Sequence, residues 1–375
     1  GIDNTIIGGL AGDAMTTGFS NTYIGKNSGG ATTIGNSNVA IGDSALLTNV
    51  AADRNIAIGV NALYSMTAAS TADHYNIGIG YNAGYAITSG ALNLITGSFA
   101  GDSLTTGERN TVYGQYALSE EDGNGYNVAV GYAALMNLNA GADAYNVAMG
   151  YNAGTAITTG TFNVLIGGLA GDALTTGGHN VALGYEALTT EDAHGYNTAI
   201  GNYALQDLNA GANAYNTAVG YSSSGNITTG VKNTTLGTWA LSGNQTGHKN
   251  VALGYQALYN LAPSGSVDSH NVGIGYEAAL AMTTGTDNTI IGSQAGVAVT
   301  TGTNNTLLGR AAGDAITEGI KNIVIGAGGA ASAVDVDNEV NLWNGTVVAR
   351  FQGSASSWTF VSDKRDKSDI EDLQL

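Results

Sequence analysis

The sequence predicts an all-β protein, a parallel β-solenoid of the β-roll kind, and three observations predict it. Nineteen times the chain returns to Asn, three residues suited to a strand, then Gly, from Asn4-Thr5-Ile6-Ile7-Gly8 to Asn322-Ile323-Val324-Ile325-Gly326. Fourteen of the eighteen intervals between these asparagines are 17 residues, and the other four are 21, 19, 19 and 21. The 43% of the chain that is hydrophobic is mostly Ala, Ile, Val and Leu, with only five Phe and three Trp among 375 residues. A short fixed period marks units that cannot bury a face alone and must stack on their neighbours. Small aliphatic side chains suit the thin interior of such a stack. Fifty-seven Gly and one Pro provide many tight turns, without the Gly at every third position that collagen needs.

Within each coil the positions have separate tasks. Thr, Val, Ile or Leu follows the Asn in all nineteen copies, and an aliphatic residue precedes the Gly in seventeen, with Thr96 and Tyr113 as exceptions. Ala most often sits between them, as at Ala40, Ala129 and Ala182. This alternation predicts one short strand per coil with one side on a packed interior. The Asn tolerates left-handed backbone angles and can stack on the Asn of the next coil as a hydrogen-bonded ladder. The Gly admits a turn where a Cβ would clash. Seven residues after the Asn, Ala recurs in sixteen copies, usually followed by Leu or Gly, as a second inward point. Thr-Thr-Gly, as at Thr105-Thr106-Gly107, reads as the outer turn.

The long coils begin at Asn55, Asn127, Asn197 and Asn250 and close blocks of three or four coils. Their extra residues carry the only irregular surface, which makes residues 64–75, 136–145, 206–215 and 259–270 the candidate contact segments. Residues 331–361 change character. Val340-Asn341-Leu342-Trp343 and Thr346-Val347-Val348-Ala349 flank Asn344-Gly345, a hairpin signal, so this stretch reads as a short β-rich neck. The expected organisation is a repetitive roll over residues 1–330, the neck over 331–361, and a third segment over 362–375. Gly1 falls inside the repeat pattern, so the chain reads as part of a longer protein.

Composition excludes several functions. A net charge of −18, from 29 acidic and 11 basic residues, argues against nucleic acid, whose phosphates call for clustered Lys and Arg. There is no 18-residue apolar run, so no membrane-inserted helix is expected. The chain has no Cys, hence no disulfides or thiolate metal sites. His74, His179, His194, His248 and His270 lack metal-ligand spacing and are expected as solvated turn residues. Glu120-Glu121-Asp122 and Glu191-Asp192 occupy similar places in successive blocks and could clasp Ca²⁺ through oxygen, but neither has an EF-hand loop or a nonapeptide calcium repeat, so they read as solvated charge. No cofactor is therefore expected. Asp13, Asp102, Asp172 and Asp314 recur after Ala-Gly and read as turn caps. Tyr75, Tyr126, Tyr145, Tyr196 and Tyr215 precede the ladder Asn, and Tyr81, Tyr132, Tyr151, Tyr185, Tyr221, Tyr255 and Tyr276 follow the strand Gly. Placement this regular points to stacked columns that stiffen the solenoid rather than to a glycan groove. Charged clusters on neighbouring strands, which hydrolytic β-helix enzymes need, are missing.

The repeat Asn-x-Ala-Ile-Gly followed by Ala-Leu resembles the head repeats of trimeric autotransporter adhesins and those of many phage tail fibres. In those proteins three chains wrap one axis with their inner strands facing each other. Ser362-Asp363-Lys364-Arg365-Asp366-Lys367-Ser368-Asp369-Ile370 is similar to the opening of the endosialidase-type intramolecular chaperone, with its Ser-Asp-x-Arg-x-Lys-x-x-Ile pattern. Trp358-Thr359-Phe360 upstream fits as well, whereas Asp366 stands where members commonly carry an apolar residue. The resemblance implies a homotrimeric phage tail fibre, located on the virion tail or outside the cell. Its implied partners are other virion tail proteins and a glycan or protein receptor on the host surface, at residues the sequence does not identify. The alternative it allows is a bacterial cell-surface or extracellular trimeric adhesin. It also implies no enzyme beyond a single-turnover autoproteolysis between Val361 and Ser362. Ser362 would act as nucleophile and Lys367 as the base that takes its proton, which requires a lowered lysine pKa.

Overall fold

The computed structural model describes residues 1–67, 72–265, 267–345, 348–352 and 359–361. The protein is an all-β parallel β-solenoid of about twenty turns of about 17 residues, with no helix among the described residues. Each repeat forms a strand of three residues, starting after the Asn and ending before the Gly. The chain divides into two units, Gly1–Ala199 and Ile200–Leu375. In the first, strands from Thr5–Ile7 to Val181–Leu183 run parallel in matching register, as in Thr22↔Val39, Ile56↔Ile77 and Val128↔Val147. In the second, parallel stacking runs from Thr217–Val219 to Ile323–Ile325 and on to Glu339–Trp343. The direction then reverses: Glu339–Trp343 pairs antiparallel with Val348–Gln352, which pairs antiparallel with Thr359–Val361. Asn344 and Gly345 fall in the first connection, where the hairpin signal put them.

The middle residue of the strand faces inward and its two neighbours face outward. Ala40, Ala129, Ile95 and Leu165 are fully buried, while the residues on either side are half-buried or exposed. Ala at the seventh position after the Asn is buried as expected. A further inward point, not read from the sequence, lies four residues beyond it, at Ile87, Leu104, Ile157 and Leu174. Its signal was an aliphatic residue directly before Thr-Thr-Gly.

The asparagines form the expected ladder. Asn163 is typical: its N–H and Nδ2 donate to Asn146 Oδ1 at 2.9 and 3.2 Å, and its Nδ2 also donates to Gly177 O at 3.0 Å. Its own Oδ1 accepts from the N–H of Asn180 at 3.0 Å. One expectation is corrected. The left-handed residue is not the Asn but the one before it, with φ of 52° at Tyr145, 59° at Phe162 and 60° at His179. That turn aims the Asn side chain along the stack instead of outward. The Gly after the strand is required twice over. Gly167 has φ of 138°, and a Cβ there would sit 2.3 Å from Gly184 O of the next coil. The ladder ends at Glu339, whose N–H donates to Asn322 Oδ1 at 3.0 Å. Glu339 is fully buried and accepts from the N–H and hydroxyl of Ser332, with Arg350 Nε 3.4 Å away.

Candidate functional site

Because the inward residue is the middle one, the larger residues on both sides of it form the outer face of the sheet. In every coil these two positions are uncharged: Thr, Val, Ile or Leu first, then an aliphatic residue (Met149 among them) or Thr96 or Tyr113. Each unit therefore carries two uncharged columns on its strand face, the first shared between Thr and aliphatic residues and the second mostly apolar. Tyr113 is 61% exposed and Met149 41% in the first unit, and Leu236 is 53% exposed in the second. At the end of the second unit, Ile325, Leu342, Trp343, Asn344 and Ala349 line an open, mostly apolar hollow of about 350 Å³. Isolated exposed apolar residues need no explanation; this band is set apart by being contiguous and uncharged on a chain of net charge −18.

The aromatic residues form columns, as the spacing predicted. Tyr126, Tyr145, Phe162, His179 and Tyr196 stack successively at centroid distances of 4.8, 5.5, 5.0 and 4.8 Å with planes within 22°. Arg109 covers the open end at 5.3 Å from the Tyr126 ring. A second column runs Tyr81, Phe99, Tyr116, Tyr132, Tyr151 and alternates edge-to-face with stacked contacts. Ring faces inside the first column are covered by one another and present only edges outward, so the pyranose-stacking surface of a glycan groove does not arise there.

The extended coils are tied down by buried polar residues that sequence reasoning did not single out as a set. The coil before each long coil replaces the aliphatic inward residue with a polar one: Asn49, Glu121, Glu191 and Asn244, all fully buried. Asn precedes the 21-residue coils and Glu the 19-residue coils. Asn49 clasps Ala52, and Asn244 clasps Gly247, each through backbone N–H and C=O at 2.7 to 3.1 Å. Glu121 Oε1 accepts from the N–H and Nδ2 of Asn124 at 3.1 and 2.9 Å, and Oε2 accepts from the N–H of Ala140 at 3.4 Å. Ladder asparagines adjust in step: Asn55 and Asn127, which open long coils, turn their Nδ2 back to Asp53 O and Gly125 O. The 21-residue coils add short parallel pairings, Asp53↔Asp73 and Gly247–His248 with Val267–Asp268. Ion pairs Arg54–Asp73 and Lys249–Asp268 accompany them.

Burial pushes the Glu121 carboxyl above its ordinary range, and does the same to Asp172 and Asp207. It lifts Asp102 to about 6. Glu191, Asp192 and His194 bring ligand atoms within 4.8 Å of one another. The Glu191 Oε1 already accepts from the His194 N–H and lies 3.3 Å from its Nδ1. Two carboxylates with one imidazole do not make the all-oxygen cage that Ca²⁺ takes. The histidines are less uniform than expected. His74 is buried with Nδ1 2.6 Å from Ala72 O, His179 is sandwiched in the aromatic column, and His248 Nδ1 accepts from the Val231 N–H.

Ser362 and Lys367 lie outside the described residues, as does all of segment 362–375. The extended segments 64–75, 136–145, 206–215 and 259–270 are described except for 68–71 and 266. No family model, no curated protein and no solved structure matches the chain.

Proposed function

We propose that this chain is the shaft of a homotrimeric extracellular fibre, of the kind that phage tails use to reach and hold a host surface. The observation that carries the reading is the strand face. Two columns of uncharged side chains recur in all nineteen coils, while the acidic residues lie elsewhere on the coil. Desolvating such a face against other copies of the chain buries apolar area without stranding a charge. Strands whose own edges are already paired coil to coil leave side chains, not backbone, to make that contact. The extended coils then offer the irregular surface that receptor recognition needs, and the motif at 362–370 supplies trimerisation. In that reading Lys367 takes the Ser362 hydroxyl proton as Oγ attacks the Val361 carbonyl carbon, then returns it to the Ser362 amine that leaves as the amide bond breaks, and water hydrolyses the resulting ester.

Sedimentation of the full chain tests the assembly. Three chains per particle are expected, and Leu236→Lys with Leu253→Lys should release folded single chains. A wild-type protein that stays a monomer at micromolar concentration would overturn the reading. Immunogold labelling with antibody against residues 1–330 then separates the two kinds of fibre. Label on virion tails supports the tail fibre, and label confined to bacterial surfaces would replace it with an adhesin.

A further inference from the structure

Strand, ladder and turn repeat almost unchanged from coil to coil, so none of them distinguishes one coil from another. The interior does. Two inward positions meet across each step of the stack: the eighth residue after the Asn of one coil, and the second residue after the Asn of the next. Leu63 at the first position faces Gly78 at the second, where a Cβ would lie 2.8 Å from Leu63 Cγ. Leu258 faces Gly273 in the same way, at 2.7 Å. Where the second position is large the first is small. A Cβ on Gly84 would lie 3.1 Å from Ile95 Cδ1, one on Gly154 would lie 2.7 Å from Leu165 Cδ1, and one on Gly296 would lie 2.8 Å from Leu307 Cδ1.

The rule holds along the whole repeat. Eight coils carry Leu at the eighth position, and each is followed by Ala or Gly at the second position of the next coil. After the first coil, eight coils carry a large second residue (Tyr23, Ile95 and Leu165 among them, and Thr235), and each is preceded by Gly, Ala or Ser. At the remaining two of eighteen steps, Gly29 to Ala40 and Gly171 to Ala182, both are small. Large never meets large. Where a polar residue enters, its partner follows: Thr235 Oγ1 lies 2.8 Å from Ser223 Oγ and 3.0 Å from Ser224 Oγ, all buried. The eighth position is left-handed in every type of coil, with φ of 49° at Leu63 and 60° at Gly84. Leu there carries a backbone penalty that Gly would avoid, and packing into the next coil is what compensates.

We infer that these paired volumes are a neighbour code, by which the solenoid specifies which coil can stack on which. A coil that loops out, or is exchanged with the matching coil of another chain, brings mismatched interiors together even though ladder and strand register survive. Protein interiors tolerate such overpacking poorly. The code predicts which 17-residue deletions the chain accepts. Removing residues 93–109 brings Gly84 against Val112, a permitted pair. Removing residues 146–162 brings Leu135 against Leu165, a forbidden one.

The test is thermal melting and circular dichroism of the full chain carrying each deletion. The 93–109 deletion should fold and melt near the parent. The 146–162 deletion should melt about 5 °C or more below it, or fail to fold. Adding Leu165→Ala to the 146–162 deletion should recover most of the loss, which separates the code from any damage to the neighbouring long coil. Equal stability of the two deletions, or no gain from Leu165→Ala, would overturn the inference.

Discussion

Asn163 shows how much one side chain of the ladder carries. It satisfies a buried carbonyl through Nδ2, accepts a backbone N–H through Oδ1, and meets the Oδ1 of the asparagine below. Asn163→Ala leaves Gly177 O and the Asn180 N–H without those partners in a fully buried place. A loss of about 3 kcal/mol is expected from urea unfolding. Asp102 works in the opposite sense. Burial raises its folded-state pKa from 3.8 to about 6, so the folded protein binds this proton more tightly than the unfolded chain does. Its contribution to stability is thus greatest below about pH 4 and is lost as pH rises through about 6. Asp102→Asn should raise the melting temperature at pH 7 and flatten the profile between pH 4 and 6. A variant whose profile still falls over that window would assign the effect to other carboxylates, of which Glu121 and Asp172 shift in the same direction.

One coil is the element of this fold, and its outline was legible because the Asn-x-x-x-Gly period dictates strand, ladder and turn together. The inward set was legible only in part. Ala at the second and seventh positions announced itself by repetition, whereas the eleventh position hides because Asn49, Glu121, Glu191 and Asn244 interrupt its aliphatic run. Those interruptions are what shape the extended coils. Glu121 read from sequence as a solvated turn charge, with Ca²⁺ binding as the lesser alternative, yet it is fully buried and its oxygens accept from Asn124 and Ala140. A carboxylate is an all-acceptor group, and the bend beyond it exposes backbone N–H groups that need an acceptor. Glu121→Ala should therefore cost about 2 kcal/mol and speed hydrogen exchange at Asn124 and Ala140 while amides of the flanking ladder keep their protection. Loss of protection along the whole first unit would show instead that the coil cannot tolerate the vacancy locally. The left-handed residue before each Asn was missed for a different reason. Tyr, Lys, His, Arg, Phe and Leu fill that place in fourteen coils and Ser, Asp or Asn in the other five, so no single residue type marks the positive φ there; in the run from Tyr126 to Tyr196 the stack of aligned rings accounts for the bulky groups.

Three chains of this composition together carry a formal charge of about −54, so the proposed trimer would assemble against its own field. Repulsion between exposed charges is long-ranged at low salt, with a screening length of roughly 30 Å at 0.01 M falling to about 8 Å at 0.15 M. The proposed contact on the strand face is uncharged, and salt barely touches apolar burial at these concentrations. Added salt should consequently strengthen association by relieving repulsion alone. Sedimentation equilibrium of the full chain across 0.01 to 0.15 M NaCl should show the trimer persisting to lower protein concentration as salt rises. Were the chains instead held by ion pairs among residues such as Arg54, Arg109 and Lys249, the trend would reverse, because screening weakens attraction between opposite charges. All three of those cations already pair within their own chain, with Asp73, Glu108 and Asp268. In the proposed trimer the uncharged columns are then left to hold the copies together, and trimers that fall apart on adding salt would count directly against the strand face as the contact.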